Sequence, residues 1–156
     1  MGMSITLREF LEDQDVEYDL IHHPRTVTSM ETAAAAHIAG DKLAKSVMVE
    51  DEHGFTTVVI PCTHRVQFSE LREQLGHAFG LATEEEVLRL FDDCEVGSIP
   101  ALGQAYGLPV LVDEALLEQD EVYFEAGDHT ELVHMSGSEF EGLMAIARQG
   151  HFSRHI

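Results

Sequence analysis

Apolar and polar residues alternate along several short stretches of the chain, which is the period of half-buried β-strands. The clearest pair covers 45–50 and 55–60, and the polar turn Asp51-Glu52-His53-Gly54 between them predicts a β-hairpin. Further strands are predicted over 17–22, 65–68, 109–113, 121–125 and 130–135. The last two flank a short turn, so we expect them to pair as well.

Capping boxes, in which Ser or Thr is followed three residues later by Glu, predict the starts of helices. Such boxes occur at Thr6, Thr28, Thr83 and Ser138. Helices and strands are interspersed without strict βαβ alternation, which favours a single α+β domain with a mixed sheet over a doubly wound fold. We predict one domain over 1–156, with a frayed polar tail at 149–156.

The chain contains only two lysines, and one of them, Lys45, opens the first strand of the predicted hairpin. The strand period places Lys45 on the same face as Val47 and Val49, where an ammonium group is costly unless something there requires it. Lys45 is therefore the strongest single candidate for a functional residue. The alternative is that it lies at the mouth of the strand and extends its ammonium group into water.

The balance of charge is strongly acidic, with 29 Asp and Glu against 9 Lys and Arg and a formal net charge of −20. No basic cluster offsets the acidic runs at 84–86 and 92–93, so we expect no extensive binding to a duplex such as DNA. A nucleic-acid substrate would have to be held at few phosphates or delivered by a partner.

No stretch approaches the ~20 apolar residues of a membrane span, and the N-terminus has no signal pattern, which predicts a cytoplasmic protein with no membrane partner.

The spacing of cysteines and histidines does not match a metal site. Cys62 and Cys94 form no CxxC motif, and two thiols in a cytosolic chain are expected to be free and buried. The ten histidines include no HExxH or HxH pattern, so we expect no metal and no other cofactor. Cys62 and His64 lie two apart, which leaves a thiol hydrolase as a weaker hypothesis, because Pro61 interrupts the strand and no third orienting group is evident.

Two turn segments carry candidate binding groups. The segment 97–103, Gly-Ser-Ile-Pro-Ala-Leu-Gly, has glycines at both ends and an internal proline, which predicts a rigid loop whose N–H groups can face a carbonyl or phosphate oxygen. The turn 124–130 presents His129 between two strands, although a lone loop histidine is usually solvated. Ser98 has no base near it in the sequence, so we expect it to form hydrogen bonds within the loop rather than to act as a nucleophile.

Five segments, taken in order, resemble the YbaK family, which is also called the prolyl-tRNA-synthetase-associated or INS-like editing domain. They are His23-Pro24-Arg25-Thr26-Val27-Thr28-Ser29 with the alanine-rich helix after it, Lys45-Ser46-Val47, the strand and helix at 66–75, the loop 97–103, and Ala126-Gly127-Asp128-His129-Thr130. The resemblance covers nearly the whole chain, and agreement of several motifs is more specific than any one of them. The chain departs from the family at Ala101, where a second proline is common.

The resemblance implies a curved mixed sheet with flanking helices. It also implies a metal-independent hydrolase that removes a wrong amino acid from the 3′ end of tRNA, with water as the attacking group. Lys45 would bind the terminal adenosine phosphate or the substrate backbone. Gly97 and Ser98 would belong to the loop that donates N–H groups to the ester carbonyl, and His129 would shape the pocket or orient the aminoacyl group.

The other residues that the resemblance assigns to substrate binding are Arg25, Thr28, Ile99, Pro100, Gly103 and Gly127. The expected partners are a mischarged tRNA and an aminoacyl-tRNA synthetase that would deliver it. The cations expected around the pocket are Arg25, Lys42, Arg65 and Arg72. A non-catalytic module that binds a synthetase or an aminoacyl-like ligand is the alternative, since an acidic surface suits a protein partner better than RNA.

Overall fold

The computed structural model describes residues 2–156, and in this range the chain forms six α-helices and ten β-strands. The helices are α1 (Ile5–Asp13), α2 (Ser29–Ala35), α3 (Phe68–Leu75), α4 (Glu84–Leu90), α5 (Glu114–Leu117) and α6 (Gly137–Leu143). The strands are β1 (Asp19–His22), β2 (Leu43–Asp51), β3 (Gly54–Pro61), β4 (His64–Val66), β5 (Gly80–Leu81), β6 (Val110–Asp113), β7 (Glu121–Glu125), β8 (Glu131–Ser136), β9 (Arg148–Gly150) and β10 (Ser153–His155).

Eight of the strands form one mixed sheet in the order β1-β8-β7-β2-β3-β6-β9, with β5 also paired to β2. The pairs β2–β7, β3–β6 and β6–β9 are parallel, and the other pairs are antiparallel. Strands β4 and β10 form a separate antiparallel pair. This is the α+β fold with a mixed sheet that the sequence predicts, and the hairpin of β2 and β3 lies at its centre.

One edge of β2 is interrupted. Strand β7 pairs with β2 at Leu43 and Ala44, and β5 pairs with it at Val49 and Glu50. In the described part of the chain, residues 45–47 therefore have no strand partner on that edge. The gap leaves room for a loop and for a pocket beside β2.

The sheet buries apolar side chains on both faces. The larger cluster packs α1 and α6 against the sheet, with Leu7 and Phe140 from the helices meeting Val59 and Phe124 from the strands. The opposite face carries two smaller clusters, one beneath α3 and one beneath α2. Lys45 lies between these two clusters, because its neighbours on the same face of β2 are Leu43 in one and Val47 in the other.

Two of the predicted helix starts are confirmed. Thr28 and Thr83 each cap a helix with the full reciprocal box, in which Glu31 and Glu86 return a hydrogen bond to the capping residue. The cap at Thr28 fixes the start of α2 beside the gap in β2.

The other two predicted caps are wrong by two residues. The N-caps of α1 and α6 are Ser4 and Ser136, not Thr6 and Ser138. The serine or threonine at each of these positions has the hydroxyl that a cap needs, so the residue type does not decide between them. At the first site the backbone N–H of Thr6 is already inside the helix and donates to Asp93 Oδ2 at 2.9 Å.

The prediction of a frayed tail is also wrong. Residues 148–155 contribute β9 and β10, and Phe152 is fully buried against α3. The carboxylate of Asp113 accepts from the backbone N–H of Phe152 at 2.9 Å and from the hydroxyl of Ser153 at 2.7 Å. A polar tail becomes ordered here because a buried carboxylate about 40 residues earlier in the chain supplies its hydrogen-bond acceptor.

Candidate functional site

A cavity of about 260 Å³ opens at the interrupted edge of β2, and we call it the Lys45 pocket. Its walls come from the start of α2, from β2, from the loop 97–103 and from the end of β7. The lining residues are Val27, Thr28, Ser29, Lys45, Ser46, Gly97, Ile99 and Glu125. Pockets for drug-sized ligands run from about 300 to 1,000 Å³, so this one suits a small chemical group.

Lys45 is half-buried in the wall of this pocket. Burial lowers the pKa of its ammonium group, and the positive charge of Arg65 lowers it further, whereas Cys62 acts in the opposite direction. The ammonium group makes one long hydrogen bond, to the carbonyl oxygen of Cys62 at 3.4 Å. An ammonium has three donors, so Lys45 retains the capacity to bind an anion or a carbonyl oxygen.

The loop 97–103 is fastened to β2 at the gap, where the hydroxyl of Ser46 donates to the carbonyl oxygen of Pro100 at 2.9 Å. Gly97 has φ of +82°, a left-handed conformation that favours glycine. Both Gly97 and Ile99 line the pocket. Among the hydrogen bonds of residues 2–156, none uses the backbone N–H of Gly97 or of Ile99. Two lining residues of the loop therefore carry backbone N–H groups that have no partner in the described part of the chain.

Ser98 lies between these two donors but does not line the pocket. It is completely buried, and both its N–H and its hydroxyl donate to the carbonyl oxygen of Glu95, at 3.2 Å and 3.0 Å. Its observed contacts therefore hold the loop in shape, as the sequence predicts for the hydroxyl.

His129 lies behind the loop, and the solvated position that is usual for a loop histidine is not observed. The side chain is 7% exposed, and its Nε2 contacts the carbonyl oxygen of Val96. Asp128 holds the turn by accepting from the N–H and hydroxyl of Thr130, at 3.1 Å and 2.9 Å. A methyl group on Gly97 would lie 3.1 Å from the ring of His129, so this ring packs directly against the loop. His129 therefore contacts the loop and not the cavity.

Two of the predicted cations around the pocket are engaged elsewhere. Arg25 forms an ion pair with Glu95 at 2.6 Å, and Lys42 forms one with Asp120 at 2.6 Å. Lys42 also approaches Glu121 at 3.3 Å. Arg65 and Arg72, like Arg25, are exposed and lie outside the pocket lining. None of these four cations lines the pocket, whose lining includes Lys45 as its one lysine or arginine.

Three further predicted residues act in packing. Gly103 lies against β3 so closely that a methyl group there would come within 2.3 Å of Thr57 Oγ1. Gly127 has φ of +115° and lies against Ser4. Pro100 is buried and contributes its carbonyl oxygen to the bond with Ser46. Ala101, where the family often has proline, is fully buried in the main core and does not line the pocket.

The thiols do not form a nucleophilic pair with histidine. Burial raises the pKa of Cys62 to about 11, and its thiol contacts the carbonyl oxygen of Gly40 at 3.2 Å. His64 instead bonds to the hydroxyl of Ser153 at 2.8 Å. Both cysteines are free and buried, which confirms the prediction.

The sequence analysis missed Glu125, the only carboxylate in the pocket lining. Burial raises the pKa of this carboxyl to about 7, with the Thr32 hydroxyl acting to lower it and the charge of Asp128 to raise it. Strand β7 pairs in parallel with β2 through Leu43–Tyr123 and Ala44–Phe124, and the next residue of each strand, Lys45 and Glu125, lines the pocket. The alternation along β7 does not mark Glu125 as a site residue, because glutamate is common at the end of a strand before a glycine-containing turn.

Other parts of the surface are weaker candidates for the functional site than the Lys45 pocket. A groove of about 450 Å³ near β1 and β8 carries none of the predicted site residues, and its lining includes Glu17, Asp19 and Glu139. No group of three or more His, Cys, Asp or Glu side chains within residues 2–156 is placed to hold a metal ion. No helix in the same range is long and apolar enough to cross a membrane.

The fold and the pocket define a single α+β unit with a small cavity beside one central lysine. The family model of the aminoacyl-tRNA editing domain matches residues 23–143, a range that contains every residue of the Lys45 pocket. The chain belongs to the aminoacyl-tRNA editing domain family, which confirms the resemblance seen in the sequence. A search of the curated proteins found no match.

Solved structures share the fold over almost the whole chain. The crystal structure of the hypothetical protein APE2540 is 24% identical, with a TM-score of 0.84 and coverage of 96% of this chain and 99% of that one. That of "a putative trans-editing enzyme for prolyl tRNA synthetase" is 22% identical, with a TM-score of 0.80 and coverage of 98% and 99%. A "putative signal transduction protein" from Marinobacter aquaeolei VT8 is 20% identical, with a TM-score of 0.78, and this chain covers 31% of it.

Proposed function

We propose that this protein is a trans-editing hydrolase that removes a wrongly attached amino acid from the 3′ end of tRNA. The observation that carries the proposal is the Lys45 pocket, in which a half-buried lysine lines one small cavity together with Gly97 and Ile99, whose backbone N–H groups have no protein partner. The family supports editing in general. The pocket supports hydrolysis as the chemistry of that editing.

The ester that joins an amino acid to the terminal ribose is already activated, so its hydrolysis needs an oriented water and stabilisation of the developing oxyanion. In the proposed step, water attacks the ester carbonyl carbon and the N–H groups of Gly97 and Ile99 bind the negative oxygen. The bond to the ribose oxygen then breaks, that oxygen takes up the proton that the attacking water releases, and the free amino acid leaves. Each such donor typically contributes about 100- to 1,000-fold in rate.

Other predicted residues hold the walls of the cavity in place. Ser98 and His129 hold the loop that carries the two donors, and Thr28 caps the helix that forms the opposite wall. Lys45 would hold the terminal phosphate or an oxygen of the aminoacyl ester. The tRNA would be gripped at few phosphates, because Arg25 and Lys42 are already paired with carboxylates.

A second candidate function is a non-catalytic module that binds a synthetase or an aminoacyl-like ligand. The net charge of −20 and the paired cations favour a protein partner over RNA. A synthetase could also deliver the tRNA to the proposed hydrolase, so both the hydrolase and the binding module can have a synthetase as partner. They differ in whether the protein releases the amino acid.

The test is release of amino acid from a small panel of mischarged tRNAs, including Ala-tRNA(Pro), Cys-tRNA(Pro) and Ser-tRNA. A hydrolase releases amino acid at a rate proportional to enzyme concentration and leaves intact tRNA. A binding module retains the charged tRNA, or a synthetase, without release. Absence of release from every member of the panel would overturn the hydrolase.

A further inference from the structure

Glu125 is a buried carboxyl group that the proposed hydrolysis does not use. It ends β7, is 4% exposed, and lines the Lys45 pocket. Its Oε2 is buried and makes no hydrogen bond in the described part of the chain. A buried polar atom without a partner is costly, so a ligand that donates a hydrogen bond in this pocket would stabilise it.

The chain supplies no cation to this carboxylate. Within residues 2–156, no Lys, Arg or His nitrogen lies within 4.0 Å of the Glu125 carboxylate as an ion pair. Lys45 lines the same pocket from β2, yet its ammonium group donates to the carbonyl oxygen of Cys62. Lys45 and Glu125 thus line one cavity without forming an ion pair with each other. Each side chain remains available to a ligand group of opposite charge.

An aminoacyl ester brings a cation of its own. Its α-ammonium group is carried on the carbon next to the ester carbonyl, so a ligand whose carbonyl oxygen meets Gly97 and Ile99 places this group in the same small cavity. A buried carboxylate is stabilised by a charged partner that supplies hydrogen bonds. Ordinary burial of Glu125 without a ligand favours its neutral form, because burial raises the pKa of the carboxyl to about 7.

We propose that the carboxylate of Glu125 binds the α-ammonium group of the aminoacyl moiety, so that the pocket accepts free α-amino esters and rejects N-acylated ones. This proposal rests on the proposed function for the identity of the ligand. In this arrangement the two charged side chains bind different groups of the substrate. Lys45 binds a phosphate or ester oxygen, and Glu125 binds the α-ammonium group. An N-blocked chain such as peptidyl-tRNA would then be excluded by the unpaired carboxylate as well as by size.

The test uses two ligands that cannot be hydrolysed, adenosine carrying alanine at its 3′ position through an amide, and the N-acetyl form of the same compound. Calorimetry measures their dissociation constants for the wild type, Glu125→Gln and Ser29→Ala. A charge-assisted hydrogen bond of ordinary strength predicts that the wild type binds the free amine roughly 10- to 100-fold more tightly. Glu125→Gln should bring the ratio close to one, whereas Ser29→Ala changes the same wall without a charge and should keep it.

The proposal is overturned if the wild type fails to discriminate between the two ligands, or if Glu125→Gln retains the discrimination. A parallel rate measurement on Ala-tRNA and N-acetyl-Ala-tRNA separates recognition from base catalysis. An equal slowing of both esters by Glu125→Gln would assign Glu125 to proton transfer and overturn the proposal. Discrimination by binding without release from any mischarged tRNA would support the proposal and overturn only the hydrolase.

Discussion

Replacing Glu125 by glutamine should stabilise the folded protein at about pH 8 and leave it nearly unchanged at about pH 4. Glutamine has almost the same shape but no charge, so the substitution removes the cost of burying the ionised carboxylate. The expected gain depends on pH because the wild-type side chain is neutral in acid and charged in mild alkali.

The size of the effect follows from the pKa of the carboxyl, which burial raises from its ordinary 4.5 to about 7. One pKa unit corresponds to about 1.4 kcal/mol, so the full difference amounts to about 3 kcal/mol. Below pH 4.5 the group is protonated in both the folded and unfolded states and costs nothing. Between 4.5 and 7 the folded state holds more protons than the unfolded one, so wild-type stability falls as pH rises through this window.

The assay is urea unfolding of the wild type and Glu125→Gln at several pH values between about 4 and 8. The quantity compared is the difference in the free energy of unfolding between the two proteins, which cancels the titration of other groups. The exposed Glu141→Gln is the matched control and should show no such trend. A difference between wild type and Glu125→Gln that stays flat across this range would refute the account of Glu125 as an unpaired buried carboxyl.

Three further predictions concern the loop, the thiols and the tail. Gly97→Ala should lower deacylation at least ~10-fold, because it strains a left-handed residue that contacts His129, whereas Gly76→Ala, with a similar φ of +84° and open space around it, should lower stability alone. Both cysteine thiols, buried with their pKa raised to about 11, should resist iodoacetamide in the native protein, and rapid inactivation by this reagent would restore the thiol hydrolase. Phe152→Ala should destabilise the protein by about 3–5 kcal/mol in urea unfolding, and a loss below about 1 kcal/mol would contradict an ordered tail.

The parts of the fold that the sequence predicts well are those whose signals are local. The hairpin of β2 and β3 has its alternation and its turn in one continuous stretch, and the caps at Thr28 and Thr83 have both members of their boxes within four residues. The tail has no local signal of order, because the partner of Phe152 and Ser153 is the distant Asp113. Order that depends on a remote acceptor cannot be read from composition.

The same division applies to the site. Lys45 is identifiable because its charge interrupts an apolar face of one strand, and the loop 97–103 because its glycines and proline are adjacent. Glu125 becomes notable only through the parallel register of β7 with β2, which joins residues about 80 positions apart. Likewise, only the fold shows that Ser98 and His129 hold the loop from behind and that Gly103 and Gly127 serve close packing.

The central claim is that the Lys45 pocket hydrolyses the ester of a mischarged tRNA, and its most direct test is alanine release from Ala-tRNA(Pro) under single-turnover conditions. The wild type is compared with Lys45→Met, which keeps the apolar stem, and with Lys42→Met, which removes the other lysine outside the pocket. We predict release by the wild type and by Lys42→Met, and a loss of at least ~100-fold in Lys45→Met with the fold retained. Equal release by the wild type and a folded Lys45→Met would contradict the claim.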